Sequence, residues 1–120
     1  MFRVTTETDK TYNKKQWRFW LTQGDSCTIR AIPKDDNGNL LDNDDIEKCR
    51  FTLADDDNVI VLEKDNLPYE DGKYVLRLTS EDTFPLDTDT YTYEFEYTLV
   101  GGEVHTPNRY KFEITDQNIE

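Results

Sequence analysis

Polar and apolar residues alternate with a period of two along most of this chain, and almost nowhere with the period of a helix. The strictest run is DTDTYTYEFEY, residues 87–97. It sets Tyr91, Tyr93, Phe95 and Tyr97 on one side against Thr90, Thr92, Glu94, Glu96 and Thr98 on the other. Side chains alternate between the two faces of a strand, so the run predicts a half-buried β-strand. Four more segments follow the same rhythm, SCTIRAI (26–32), EKCRFTL (47–53), YVLRLT (74–79) and RYKFEIT (109–115), and the aromatic-rich KQWRFWL (15–21) and the short β-branched run NVIVLE (58–63) complete the strand candidates. Turn signals separate them, among them Gln23-Gly24-Asp25, Asn37-Gly38, the triplet Asp55–Asp57 and Gly101-Gly102. Seven short strands at this spacing predict an all-β sandwich of about seven antiparallel strands.

Helix signals are confined to TSEDT (79–83), where Thr79 and Asp82 stand at capping-box spacing and Pro85 limits the helix to about one turn. This corner is expected to carry the chain from one sheet to the other. The layout read from these signals is an N-terminal lead over 1–14, the sandwich over 15–116 and a polar tail over 117–120.

The aromatic stripe of residues 91–97 needs a cover. Each Tyr or Phe presents about 150–250 Å², and four left bare exceed the few hundred Å² that a soluble monomer exposes in one patch. Tyr74-Leu76-Leu78, Phe51-Leu53 and Tyr110-Phe112-Ile114 offer apolar faces in the same rhythm. The stripe is therefore assigned to the core.

Composition then narrows the function classes. The chain has 120 residues, enough for one self-supporting domain, and a net charge of −12. Such acidity argues against nucleic acid, which is bound through Lys and Arg, and against anionic membrane surfaces. The opening MFRVTTETDKTYNKK has no apolar run of the secretory type, and no segment is apolar for long enough to span a bilayer. Synthesis in the cytoplasm is the expectation. Cys27 and Cys49 make no CxxC pair. Both fall in the inward phase of their strands and read as small core residues, with a disulfide left open.

Candidate chemistry is sparse. His105 is the single histidine; Ser26 or Ser80 would have to join it in a hydrolytic triad, and no nucleophile-elbow motif accompanies them. No catalytic residue is assigned, and the chain is read as non-enzymatic. The loop PKDDNGNLLDND (33–44) invites a calcium reading, but Pro33 stands where an EF-hand loop begins with Asp, and Asp44 where it ends with Glu. No metal or cofactor is assigned. Trp17, Phe19 and Trp20 put aromatics on both faces of one short strand, which marks them as a candidate contact with a protein partner or, less favoured, a sugar.

LTQGDSCTIRAI (21–32), NGNLLD (37–42) and DGKYVLRLTSEDTFPLDTDTYTYEFEYTLVGGEVHTPNRYKFEIT (71–115) together resemble the immunoglobulin-like domain of tailed-bacteriophage structural proteins, such as the N-terminal domain of baseplate upper proteins. The resemblance rests on the order of a Gln-Gly-Asp turn, a Leu-Thr-x-Glu-Asp-Thr corner, a Tyr-x-Tyr-Glu-Phe-Glu strand, a Gly-Gly hairpin and a final Phe-x-Ile strand. It implies an immunoglobulin-like sandwich serving as a non-enzymatic phage or prophage accessory protein of capsid, neck or tail. It also implies virion proteins or copies of the chain as partners, and a place in the virion. A carbohydrate-binding module is the alternative expectation.

Overall fold

The computed structural model describes residues 3–8, 12–13, 18–35, 37–39, 45–106 and 109–115. Two sheets stack into an all-β sandwich. The smaller one has the order β1 (Arg3–Thr8), β4 (Cys27–Lys34), β8 (Lys73–Leu78), β7 (Tyr69–Glu70), with every pairing antiparallel. The larger runs β2 (Tyr12–Asn13), β3 (Arg18–Thr22), β11 (Arg109–Thr115), β9 (Asp89–Leu99), β5 (Ile46–Ala54), β6 (Ile60–Lys64), and β10 (Val104–His105) folds back onto β9. The four strands of the smaller sheet and the central β11, β9 and β5 of the larger follow the immunoglobulin pattern of four strands facing three, with β2 and β3 added on one flank, β6 on the other and β10 as a short return onto β9.

Each of the seven predicted segments contributes a strand, and the inward phase of each fills the space between the sheets. Tyr91, Tyr93, Phe95 and Tyr97 are at most 3% exposed and pack with Phe19, Phe51, Tyr74, Leu76 and Phe112. Their rings meet edge-on or tilted, as Phe51 and Phe95 do at 5.7 Å, the arrangement that the ring quadrupole favours. The chain itself covers the stripe.

Two findings depart from the sequence expectation. Residues 3–8 are not a lead: β1 pairs with β4 from Arg3↔Lys34 to Thr8↔Ile29. Its one inward apolar residue, Val4, is too little for alternation to reveal, because an edge strand needs only one covered face. The Tyr110 hydroxyl donates to the Val4 carbonyl at 3.0 Å and ties this edge to the larger sheet. Nor is the sandwich wholly antiparallel. β3 runs parallel to β11, from Lys111↔Arg18 to Thr115↔Thr22.

The expected crossing exists. α1 (Ser80–Thr83) opens with Thr79 accepting from the Asp82 amide at 3.3 Å, while Asp82 Oδ2 accepts from the Thr79 amide at 2.8 Å. The Gln-Gly-Asp turn locks against it. Gln23 Nε2 donates to the carbonyls of Phe84 and Leu86 at 2.9 and 2.8 Å, and the buried Thr83 hydroxyl donates to the Asp25 carbonyl at 2.7 Å. Just beyond, the Tyr91 hydroxyl donates to the Asp87 carbonyl at 2.7 Å, a tyrosine corner at the entry to β9.

Candidate interaction surface

The hairpin joining β5 to β6 is built by one carboxylate. Asp55 Oδ1 accepts from the amides of Asp57 and Val59, both at 2.9 Å, and Asn58 takes a left-handed φ of 62°. Asn tolerates that conformation better than most residues. The acidic loop at 35–39 repeats the device. Asp35 Oδ1 accepts from Asn37 and Asn39 at 2.9 and 3.0 Å, and Gly38 supplies the positive φ. The backbone bond from Asn39 leads in holding the Asp35 carboxyl below its ordinary range. These acids shape turns, and among the described residues no three His, Cys, Asp or Glu side chains gather to hold a metal ion. Asp36 and Asp44 of the calcium reading lie outside the described residues.

β6 emerges from its turn as an outer edge of the larger sheet, with no neighbour beyond it among the described residues. The β5–β6 register runs Phe51↔Lys64, Thr52↔Glu63, Leu53↔Leu62 and then shifts to Ala54↔Ile60. Val61 is the extra residue of that bulge. Leu62 packs against the core, but Val59, Ile60 and Val61 stand in solvent at 56%, 52% and 39% exposure.

Acids flank this apolar run. Asp56 and Asp57 are exposed before it. After it, Glu63 and Asp65 share Arg50 at 2.7 and 3.0 Å, and Lys64 turns away to Asp82 at 3.0 Å. Two hollows adjoin the edge. On the outer face of the sheet, a groove of about 350 Å³ is lined by Ile60 with Arg50, Thr52, Thr92, Glu94 and Arg109. Where β6 ends, a cleft of about 260 Å³ is lined by Lys64, Asp65, Leu67, Pro68, Val75 and Arg77.

The aromatic trio predicted as a contact is split. Phe19 is buried, packed edge-on against Tyr93 and Phe112, so it belongs to the core and meets no partner. Trp20 faces outward beside Glu113 and is 41% exposed. Trp17 lies outside the described residues. His105 pairs with Tyr97 near the far end of β9 from α1 and Ser80, with Glu103 Oε2 3.8 Å from its Nε2. Those two ends of β9 lie roughly 25 Å apart at about 3.4 Å per residue, which keeps Ser80 out of reach of the imidazole.

Cys27 and Cys49 are buried, one in each sheet, and are not joined in a disulfide. Burial pushes the Cys49 thiol up to about 12, with the adjacent Tyr97 hydroxyl only partly offsetting it, so this thiol stays protonated at neutral pH.

No known protein family matches the sequence, and no curated protein matches it. Solved structures do resemble the fold. CopC from Methylosinus trichosporium OB3b superposes with a TM-score of 0.55 at 10% identity over 100% of both chains. The PmoD soluble domain from Methylocystis sp. ATCC 49242 (Rockwell) gives 0.52 at 12% identity, over 96% of this chain and 91% of that one. Murine CRIg gives 0.50 at 12%, over 97% and 99%.

These likenesses show the sandwich fold and overturn the phage assignment. Neither a virion structural role nor a virion location follows from sandwiches of the CopC, PmoD and CRIg kind. The physical reason lies in the motifs that carried the resemblance. Gln23, Asp25, Thr79, Asp82 and Thr83 bond to one another or to nearby backbone to close the inter-sheet corner, so they report a way of building a sandwich. The sugar-binding alternative falls as well. Tyr74, Tyr91, Tyr93 and Tyr97 are in the core, Tyr69 and Tyr110 pack against it, and the exposed rings among the described residues, Trp20 and Phe84, sit on different elements, β3 and the end of α1.

Proposed function

We propose that this chain is a non-enzymatic binding domain that works through protein–protein contact along the open β6 edge of its larger sheet. The observation that carries the reading is the run Val59-Ile60-Val61, three consecutive apolar side chains left in solvent at the start of β6, a strand paired with β5 on one side and with no neighbour on the other among the described residues. Edge strands expose a row of amides and carbonyls, and exposed apolar side chains along such an edge offer another strand a surface to pair with. Covering such side chains takes their remaining apolar surface out of water, which favours a complex.

The ionisable groups fit a binding role better than catalysis. Burial holds the Cys49 thiol and the Tyr74 and Tyr97 hydroxyls in their neutral forms. Asp35 and Asp82 are committed to turn and cap bonds, and Glu7 and Glu70 to ion pairs with Lys73 and Arg77.

A displayed library of random peptides tests this reading. Binders should perturb the amides of residues 59–64, and the double substitution Ile60→Lys, Val61→Lys should abolish their binding while the fold stays intact. Binders that map to the Trp20 face, or bind the double variant as well as the parent, would overturn it.

A further inference from the structure

Resting on that reading of the edge, we infer that the occupant of β6 is an extended segment of a different protein, with β-branched residues in alternation and Lys or Arg on both flanks, and not a second copy of this chain. The occupant must be extended because β6 presents a strand edge: backbone bonds supply the affinity, and alternate side chains supply the choice of sequence. On the outer face those side chains meet Ile60 and the groove behind it. At the end of β6 the occupant meets the cleft lined by Leu67, Pro68 and Val75, since Lys64, the last residue of β6, lines it too.

Charge decides who the occupant is. Asp56 and Asp57 lie at the start of the edge with no ion pair among the described residues. At its end two carboxylates, Glu63 and Asp65, share the one guanidinium of Arg50, and Lys64 is already engaged by Asp82. Both ends are therefore net acidic. Antiparallel pairing of two β6 strands would set Asp56 and Asp57 of one copy against Glu63 and Asp65 of the other, within chains that each carry −12. Like charges placed across a ladder oppose pairing, whereas basic flanks are attracted to both ends and steer the encounter.

Two synthetic nine-residue peptides test the inference on the intact chain. Both have the core Val-Thr-Val-Thr-Val; one carries two lysines at each end and the other two glutamates. Amide shifts and calorimetry at low salt read binding, and sedimentation of the chain alone reads self-association. The lysine peptide should bind at residues 59–64 at least tenfold tighter than the glutamate peptide. It should weaken as salt rises, because the Debye length shrinks from about 10 Å at 0.1 M to about 3 Å at 1 M. Substituting Asp56 and Asp57 with Asn should narrow the gap between the peptides. Equal binding of both at the same amides would overturn the charge inference and leave the edge reading standing. Dimerisation through those amides would replace the foreign partner with a second copy. Failure of both peptides to perturb residues 59–64 would sink the inference together with the edge reading.

Discussion

Phe19 and Phe112 face each other across the one parallel pairing among the described strands, their ring centroids 5.3 Å apart and their planes at 66°. The contact joins β3, early in the chain, to β11 near the other end of the described residues, and both side chains are almost wholly buried. Truncating either ring removes a filled volume and an edge-to-face pair together. Phe19→Ala should destabilise by about 3–5 kcal/mol. A denaturant titration showing a loss below about 1 kcal/mol would mean that β3 is not seated on β11.

The alternation of β9 makes a paired prediction. Phe95 is 1% exposed, while its neighbour Glu96 lies on the outer face with Thr92 and Glu94. Phe95→Ala should cost about 3–5 kcal/mol, and Glu96→Ala should stay within about 0.5 kcal/mol. Unfolding curves for the two variants check this, and similar small costs would place the stripe outside the core.

Cys49 should resist thiol reagents. Its thiol is buried and pushed up to about 12, so almost no thiolate forms near pH 8. Cys27 is equally buried. Alkylation followed by mass spectrometry should show neither residue modified in the native protein and both modified rapidly in denaturant. Fast labelling of Cys49 in the folded state would contradict its burial.

Acid should loosen the corner at α1. Burial works against the charged form of Asp82, but the Thr79 amide and Lys64 outweigh it, so the net shift is downward. A carboxyl lowered in the folded state stabilises above its unfolded pKa of about 3.9, and that contribution is lost as pH falls through the lower folded value. Between pH 5 and pH 2 the parent should therefore lose more stability than Asp82→Asn, which has no proton to gain there. Parallel curves for the two proteins over that range would show that Asp82 is not linked to acid unfolding.

Much of the sandwich was legible because a half-buried strand writes its own period. RYKFEIT became β11 with the same limits, and EKCRFTL grew by only one residue at each end. The capping box at Thr79 and Asp82 was legible for a similar reason, since its bonds span three residues. What stayed hidden depended on partners far away in the chain. β1 carries one inward apolar residue, Val4, so RVTTET reads as polar chain until β4 is beside it. The parallel seating of β3 on β11 leaves no local trace. Phe19 looked like a surface aromatic because its strand is apolar on both faces, and only the register with Phe112 shows which face is covered. The same signal stood in NVIVLE, where Val59, Ile60 and Val61 break the alternation. It marked the open edge, but that NVIVLE is an edge at all depends on the order of the strands.

The late arrival of β11 has a consequence for how the chain is made. Thr115 donates to the Leu21 carbonyl across a sequence separation of 94, so β3 cannot take its seat while the last strand is still inside the ribosome. At about 5–20 residues per second, the interval from one strand to the other is on the order of ten seconds. Through that time Phe19 lacks the cover of Phe112, and for the last second or two of it, on the order of the ten residues between β9 and β11, the flank of β9 lacks it as well. The excess of acidic residues spread along it then acts as a solvent-holding coat until the final strand slots home.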